Sequence, residues 1–142
     1  MKKVSVLGSI NVDTTIYVDT FPNEGETITG NQVEIDVGGK GLNQAIAIKK
    51  SGIDVSFISA IGKDDNANLI LKASREYGLK SYFFRSEHKT GTAYIIVDKS
   101  SQNKITVIPG SNNDVVKENI DKKILDESDI IVLQNEIPMI LP

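Results

Sequence analysis

Apolar residues fall along this chain in two patterns. Three short runs are nearly continuous: 4–10 with Val4, Val6, Leu7 and Ile10; 55–61 with Val55, Phe57, Ile58, Ala60 and Ile61; and 130–133 with Ile130, Ile131, Val132 and Leu133. Such runs, bounded by glycine or polar residues, predict strands buried on both faces of a parallel sheet. Four other segments, 14–20, 27–37, 92–97 and 104–108, mix or alternate apolar and polar positions, as half-exposed strands do. The last two flank Ser100, Ser101, Gln102 and Asn103 and read as a hairpin. Helical spacing begins at Leu42, continues through Ala45 and Ile46, and stops at Gly52. A second helix runs through Leu69, Ile70, Leu71 and Ala73 to Gly78, with Asp64 or Asp65 as its cap, and a short third helix is predicted near 115–125.

The interleaving predicts an α/β fold with two sheets. The continuous runs alternate with helices, which suits βαβ units and a parallel sheet. The amphipathic strands form a separate small sheet. No repeat or low-complexity linker divides the chain. The third apolar run is followed by no crossover to a further parallel strand, so either the sheet is small or the 142 residues belong to a longer chain.

Composition narrows the chemistry. A chain of 142 residues with 39% hydrophobic and 25% charged residues can bury one core. The formal charge of −3 argues against a nucleic-acid surface, and no apolar run approaches a membrane span. Met1-Lys2-Lys3 leads into the first strand without a cleavage site, and a cytoplasmic location is expected. The absence of cysteine and the single histidine exclude thiolate and multi-histidine metal sites.

Three polar features carry candidate chemistry. Gly38-Gly39-Lys40-Gly41 leads into a helix, where free N–H groups could hold phosphate. However, Lys40 is followed by Gly41, Leu42 and Asn43, which breaks the Walker A pattern, and Gly8-Ser9-Ile10-Asn11-Val12-Asp13 does not fit a dinucleotide fingerprint. What remains is a glycine-lined loop open to close ligand approach, or a tight strand-to-helix connection with a solvated lysine. Asn11 and Asp13 follow the first buried strand, where open α/β folds bind ligands, although an Asx turn would use the same residues. Gln134, Asn135 and Glu136 repeat this at the end of the third buried strand. A carboxylate that accepts from adjacent hydroxyls, with amides beside it, suits a polyol. The remaining polar residues have plainer readings: His88 on the surface, Lys49 and Lys50 complementing a helix end, Asp64-Asp65 as a cap, and Tyr17 and Tyr94 as sheet or interface aromatics.

Several stretches together resemble the N-terminal half of the ribokinase-like (PfkB) sugar kinases. They are Gly8 to Asp13, Gly25-Glu26-Thr27-Ile28-Thr29-Gly30, Gly38 to Ala45, Gly52, Gly62, and Leu133-Gln134-Asn135-Glu136-Ile137-Pro138. The resemblance covers residues 1–142 in order, and the run from Gly38 to Ala45 is nearest the ribokinases of that family. It implies a three-layer α/β/α domain with a small β-sheet lid, the lid strands at about 14–37 and 91–108 being inserted in the α/β core. It implies a sugar kinase that phosphorylates D-ribose with ATP, Mg²⁺ and a monovalent cation, K⁺ in particular; the alternating polarity and exposed face of the lid strands further predict a homodimer built through the lid. Carried over by position, Asn11, Asp13, Gly39, Lys40, Gly41, Asn43 and Glu136 would contact the pentose, with Ala93 and Ile95 of the lid against its apolar edge. The family's glycine-alanine-glycine-aspartate motif, its catalytic base and its ATP and cation sites do not occur here, so no catalytic residue is assigned and the 142-residue chain is expected to be inactive alone. Another PfkB sugar or nucleoside kinase, or a non-catalytic sugar-binding or dimerisation module, are the alternatives. One departure is Ala67, where the family usually carries glycine and the local helix start could differ.

Overall fold

A computed structural model describes residues 1–138 of the chain. Eight strands form two four-stranded sheets among these residues, accompanied by three α-helices. In chain order they are β1 (Val4–Leu7), β2 (Asn11–Tyr17), β3 (Gln32–Gly38), α1 (Lys40–Lys50), β4 (Val55–Ile61), α2 (Asp65–Glu76), β5 (Lys80–Arg85), β6 (Thr92–Val97), β7 (Asn103–Ile108), α3 (Lys122–Asp126) and β8 (Ile130–Leu133).

The larger sheet is parallel throughout, in the order β5-β4-β1-β8. Helices lie on both faces, as parallel strands joined by crossovers require. On one face α1 and α2 bury Leu42, Ala45, Ala67 and Ile70 against Val6, Val55, Phe57 and Ile61. Phe83 of β5 meets Phe57 edge-on there, with centroids 5.9 Å apart. On the other face Ile124 and Leu125 of α3 join Leu7, Ile58 and Val115. This is the expected α/β/α layering.

The small sheet has the order β3-β2-β6-β7. β2–β3 and β6–β7 are antiparallel pairs, and β2 and β6 run parallel at the centre. Directly opposed residues share a face. One face therefore carries Asp13, Asp36, Ala93 and Val107 in one row, then Thr15, Glu34, Ile95 and Ile105. The other carries Thr14, Ile35, Tyr94 and Thr106, so Tyr17 and Tyr94 lie on opposite faces.

Several elements differ from the sequence reading. Helix α1 starts at Lys40, two residues before Leu42, with Gly39 as N-cap at φ 98°. The expected helix at 115–125 is instead a 3₁₀ turn, Lys117–Asn119, followed by α3 capped by the Asp121 carboxylate, with another 3₁₀ turn, Gly110–Asp114, just before it. Val115 sits between these turns, 2% exposed, as a core plug rather than a helical residue. Strand β5 was not expected, because its lysine and arginine ends and its mixed polarity hide an edge strand. β8 pairs only with β1 among the described residues, and Ile130, Ile131 and Leu133 remain 43–53% exposed rather than buried. Asp64 caps α2 by accepting from the Ala67 N–H at 2.9 Å, an ordinary helix start with Ala67 fully buried.

Candidate functional site

The site forms where β1 leaves the parallel sheet and enters the small one. Residues 8–10 cross from Leu7 to Asn11, and the start of α1 packs directly on them. A Cβ on Gly41 would stand 2.6 Å from Gly8 C and from Ser9 N and O; one on Gly39 would stand 2.7 Å from Ile10 Cα. Only glycine permits this approach, and at Gly39 the positive φ adds a second reason.

The contact is sealed by hydrogen bonds. The Leu42 N–H donates to Ser9 O at 3.1 Å, and the Gly41 N–H donates to Ser9 Oγ at 3.3 Å. That hydroxyl donates in turn to Glu136 Oε2 at 2.6 Å, and Lys40 Nζ lies 3.3 Å from Glu136 Oε1. Burial raises the Glu136 pKa, but the Ser9 hydroxyl together with the Lys40 ammonium and backbone N–H outweigh it and hold the group below its ordinary value. The helix start thus has its own anion, a carboxylate from a residue 96 positions downstream. The glycine-lined loop is not a phosphate cradle, because its donors are already engaged.

Asp13 lies on β2 with its carboxylate over Gly38, where a Cβ would collide with it. Its pKa is raised, first by burial and then by the neighbouring Asp36 and Glu136 carboxylates. Ala93 is buried directly across from it and Ile95 lies one row further on the same face. Asn11, 7% exposed, and Glu136 line a cavity of about 460 Å³ with Ser9, Val107, Pro109 and Asn112, a volume in the range of roughly 300–1,000 Å³ common for small-molecule sites. Asp13, Gly39, Lys40, Gly41 and Asn43 are not among the residues that line this cavity; Asn43 borders a hollow with Asp36, Val37, Ile46, Lys50 and Tyr77. Gln134 turns back to the loop, accepting from the Ser9 N–H at 3.3 Å and donating to Gln44 at 2.6 Å.

The remaining candidates take structural places. Asp64 ties α2 to the segment before β6, accepting from the Thr90 N–H at 2.9 Å and the Thr90 hydroxyl at 2.6 Å. His88 is on the surface, with Nδ1 2.8 Å from Asp114 Oδ2. Asn112 was missed: it sits in a Pro-Gly-Ser-Asn-Asn stretch that reads as a turn, yet it is 2% exposed and bonded to Ile10 and Asn11.

The family model for pfkB family carbohydrate kinases matches residues 1–142. The chain belongs to the pfkB family. Curated relatives include the ribokinase of Haemophilus influenzae, 38% identical over 143 residues that cover 97% of this chain and 46% of that protein. The deoxyribokinase of Salmonella typhi is 33% identical, over 96% of this chain and 46% of its own length. Among solved structures, a ribokinase from Thermotoga maritima superposes with a TM-score of 0.91 at 39% identity, covering 97% of this chain and 46% of that one. The ribokinase of Arabidopsis thaliana, solved with ribose and ATP, gives 0.82 at 29% identity, covering 96% and 46%. The pfkB chain described here therefore spans less than half the length of these relatives.

Proposed function

We propose that this chain is the sugar-binding part of a kinase that phosphorylates D-ribose to ribose 5-phosphate with ATP. The observation that carries the reading is Glu136, which shares a cavity with Asn11, pairs with Lys40 and lies close enough to Asp13 to raise its pKa, beside a helix start whose donors are consumed internally. Asp13 is a partly buried carboxylate with carboxylates for neighbours, and two adjacent sugar hydroxyls would supply the donors it lacks. Gly39, Lys40 and Gly41 form the helix start beside Glu136, which lines the cavity, and with Asn43 of the first helical turn they would contact the sugar from that side. Ala93 and Ile95 would pack the small sheet over the sugar's apolar edge, making that sheet the lid of residues about 14–37 and 91–108.

Phosphoryl transfer requires a positioned donor, a base and charge stabilisation. None of these is assigned to residues 1–142, and the filled helix start does not fit a phosphate. In this reading the ATP, Mg²⁺ and K⁺ sites belong to the rest of a full-length kinase. A homodimer formed through the small sheet and a cytoplasmic location complete the reading; among the described residues no helix is long and apolar enough to cross a membrane. A deoxyribose kinase is the second reading, favoured by the Salmonella typhi relative.

The test is ADP release coupled to ribose and to 2-deoxyribose, run on the 142-residue chain and on the protein expressed from its complete reading frame. The short chain should be silent and the complete product active with ribose, losing roughly 2–4 kcal/mol of sugar affinity in Asp13→Ala, as for a buried charge-assisted hydrogen bond. Turnover by the short chain, or ribose binding unchanged in that variant, would overturn the reading.

A further inference from the structure

Asn112 is held by both backbone groups of one residue. Its Oδ1 accepts from the Ile10 N–H at 2.9 Å, and its Nδ2 donates to the Ile10 carbonyl at 2.9 Å. A backbone N–H can only donate and a backbone carbonyl can only accept, so the two ends of this amide are not interchangeable. The same Nδ2 lies 2.9 Å from the side chain of Asn11 and must meet an acceptor there, which fixes the nearer atom as Asn11 Oδ1. The orientation of Asn11 is thereby dictated by the backbone of the preceding residue, relayed through a side chain 101 positions away. Gly91 makes room for the arrangement, since a Cβ there would strike both amides. Asn11 Nδ2 has no acceptor among the described residues, while both asparagines line the 460 Å³ cavity.

We propose that Asn112 is a positioning residue that locks Asn11 as a donor only, so that the ligand atom at this point of the pocket must be a hydrogen-bond acceptor. The inference deepens the sugar-site reading and rests on it for the ligand, but the lock exists without one. For a sugar, the atom is a hydroxyl or ring oxygen whose lone pair takes the Asn11 proton. A hydroxyl there sends its own proton elsewhere, and Asp13, two residues further along β2 and so on the same face of the strand, is a carboxylate able to accept it. The pair makes this face of β2 directional: donor at Asn11, acceptor at Asp13. Asn112 also sits just beyond β7, so the lock joins the exit of the small sheet to the ligand-facing amide.

The experiment uses the protein expressed from its complete reading frame, with asparagine side-chain amides labelled with ¹⁵N. Without sugar, the Asn112 amide protons should exchange with water at least tenfold more slowly than those of the exposed Asn113, and the Asn11 amide should shift in Asn112→Ser. Equal exchange at residues 112 and 113, or an Asn11 amide indifferent to Asn112→Ser, would overturn the lock whatever the ligand. With D-ribose, the Asn11 Nδ2 signals should shift while the Asn112 protons stay protected. If the lock is found but ribose moves no Asn11 signal, the sugar reading fails and the lock stands. Asn11→Asp keeps the acceptor that Asn112 requires but replaces the ligand-facing donor with an acceptor. It should fold as the parent does and lose ribose affinity at least tenfold; unchanged affinity would refute the donor assignment.

Discussion

Substituting Gly41 by alanine tests the close contact on which the site is built. The new Cβ would stand 2.6 Å from three backbone atoms of Gly8 and Ser9, roughly 0.8 Å inside ordinary contact, and backbone cannot rotate out of the way as a side chain would. The start of α1 must withdraw, stretching the bonds from the Gly41 N–H to Ser9 Oγ and from the Leu42 N–H to Ser9 O, now 3.3 and 3.1 Å. Overpacking of this kind costs about 1–3 kcal/mol, and two neutral hydrogen bonds about 1 kcal/mol each. Alanine returns about 1 kcal/mol through its helix propensity. The net is a loss of about 2–4 kcal/mol. With a urea m value of about 1.5 kcal/mol per M, the midpoint should fall by roughly 1.3–2.7 M. Gly52→Ala is the control: its φ is +86° but nothing lies within 4 Å of the added carbon, so it reports backbone strain without collision, about 1 kcal/mol. The reasoning is refuted if Gly41→Ala costs no more than this control.

Asp13→Asn should stabilise the fold near neutral pH. The folded pKa of Asp13 is raised by burial and by Asp36 and Glu136, so the penalty is fully present above that pKa and disappears as pH falls toward the ordinary carboxylate range; urea midpoints of parent and variant should converge on acidification, and a pH-independent difference would count against it. Asp64→Ala removes a helix cap and two bonds to Thr90, and should cost about 2–4 kcal/mol at pH 7 by chemical denaturation. Burial raises the Asp64 pKa but the Thr90 and Ala67 donors outweigh it, so this contribution is held above the ordinary aspartate range and lost as pH falls through the lowered value; a cost below about 0.5 kcal/mol contradicts it. Tyr94 and Ile35 share the exposed face of the small sheet, 45% and 63% accessible, and Tyr94→Asp with Ile35→Asp should convert a dimer to a monomer in sedimentation. A parent protein already monomeric at high micromolar concentration would remove the interface.

The elements legible in the sequence were those whose cause is local. β4, the β6–β7 hairpin and the stops of α1 and α2 at Gly52 and Gly78 follow from periodicity and turn chemistry within a few residues. The first turn of α1 was not legible, because its capping groups come from Ser9 and Glu136, far away in sequence. For β8 the pattern records burial on two faces, whereas its outer edge has no strand partner among the described residues. The same division holds at the site. Glycines and polar exits marked the place, and Asn11 and Glu136 do meet at one cavity. Asn43, grouped with them by its position on the first helical turn, borders a hollow that Asp36 and Tyr77 also line. Asn112 gave no signal, because a buried asparagine in a turn-like stretch is distinguished only by what it touches.

The electrostatics of Glu136 and Asp13 bear on the proposal that a polyol binds here. Glu136 has a cation in Lys40, a hydroxyl in Ser9 and the end of a helix, so its charge is answered within the chain. Asp13 has no such answer: burial and two neighbouring carboxylates all disfavour its charged form. A residue held at such a cost is characteristic of a position kept for binding rather than for stability. A cation could relieve it, but the described residues include no group of three acidic or histidine side chains placed to hold a metal. A neutral ligand with two adjacent hydroxyls relieves it without adding charge beside Lys40, donating two hydrogen bonds to the ionised carboxylate. Binding should therefore lower the Asp13 pKa. By linkage, affinity for D-ribose should be full above the raised pKa of the free site and weaken as pH falls through it. Calorimetric titration across that range in the complete protein measures this directly, and affinity that is flat with pH would mean that the ionised Asp13 carboxylate does not hold the sugar.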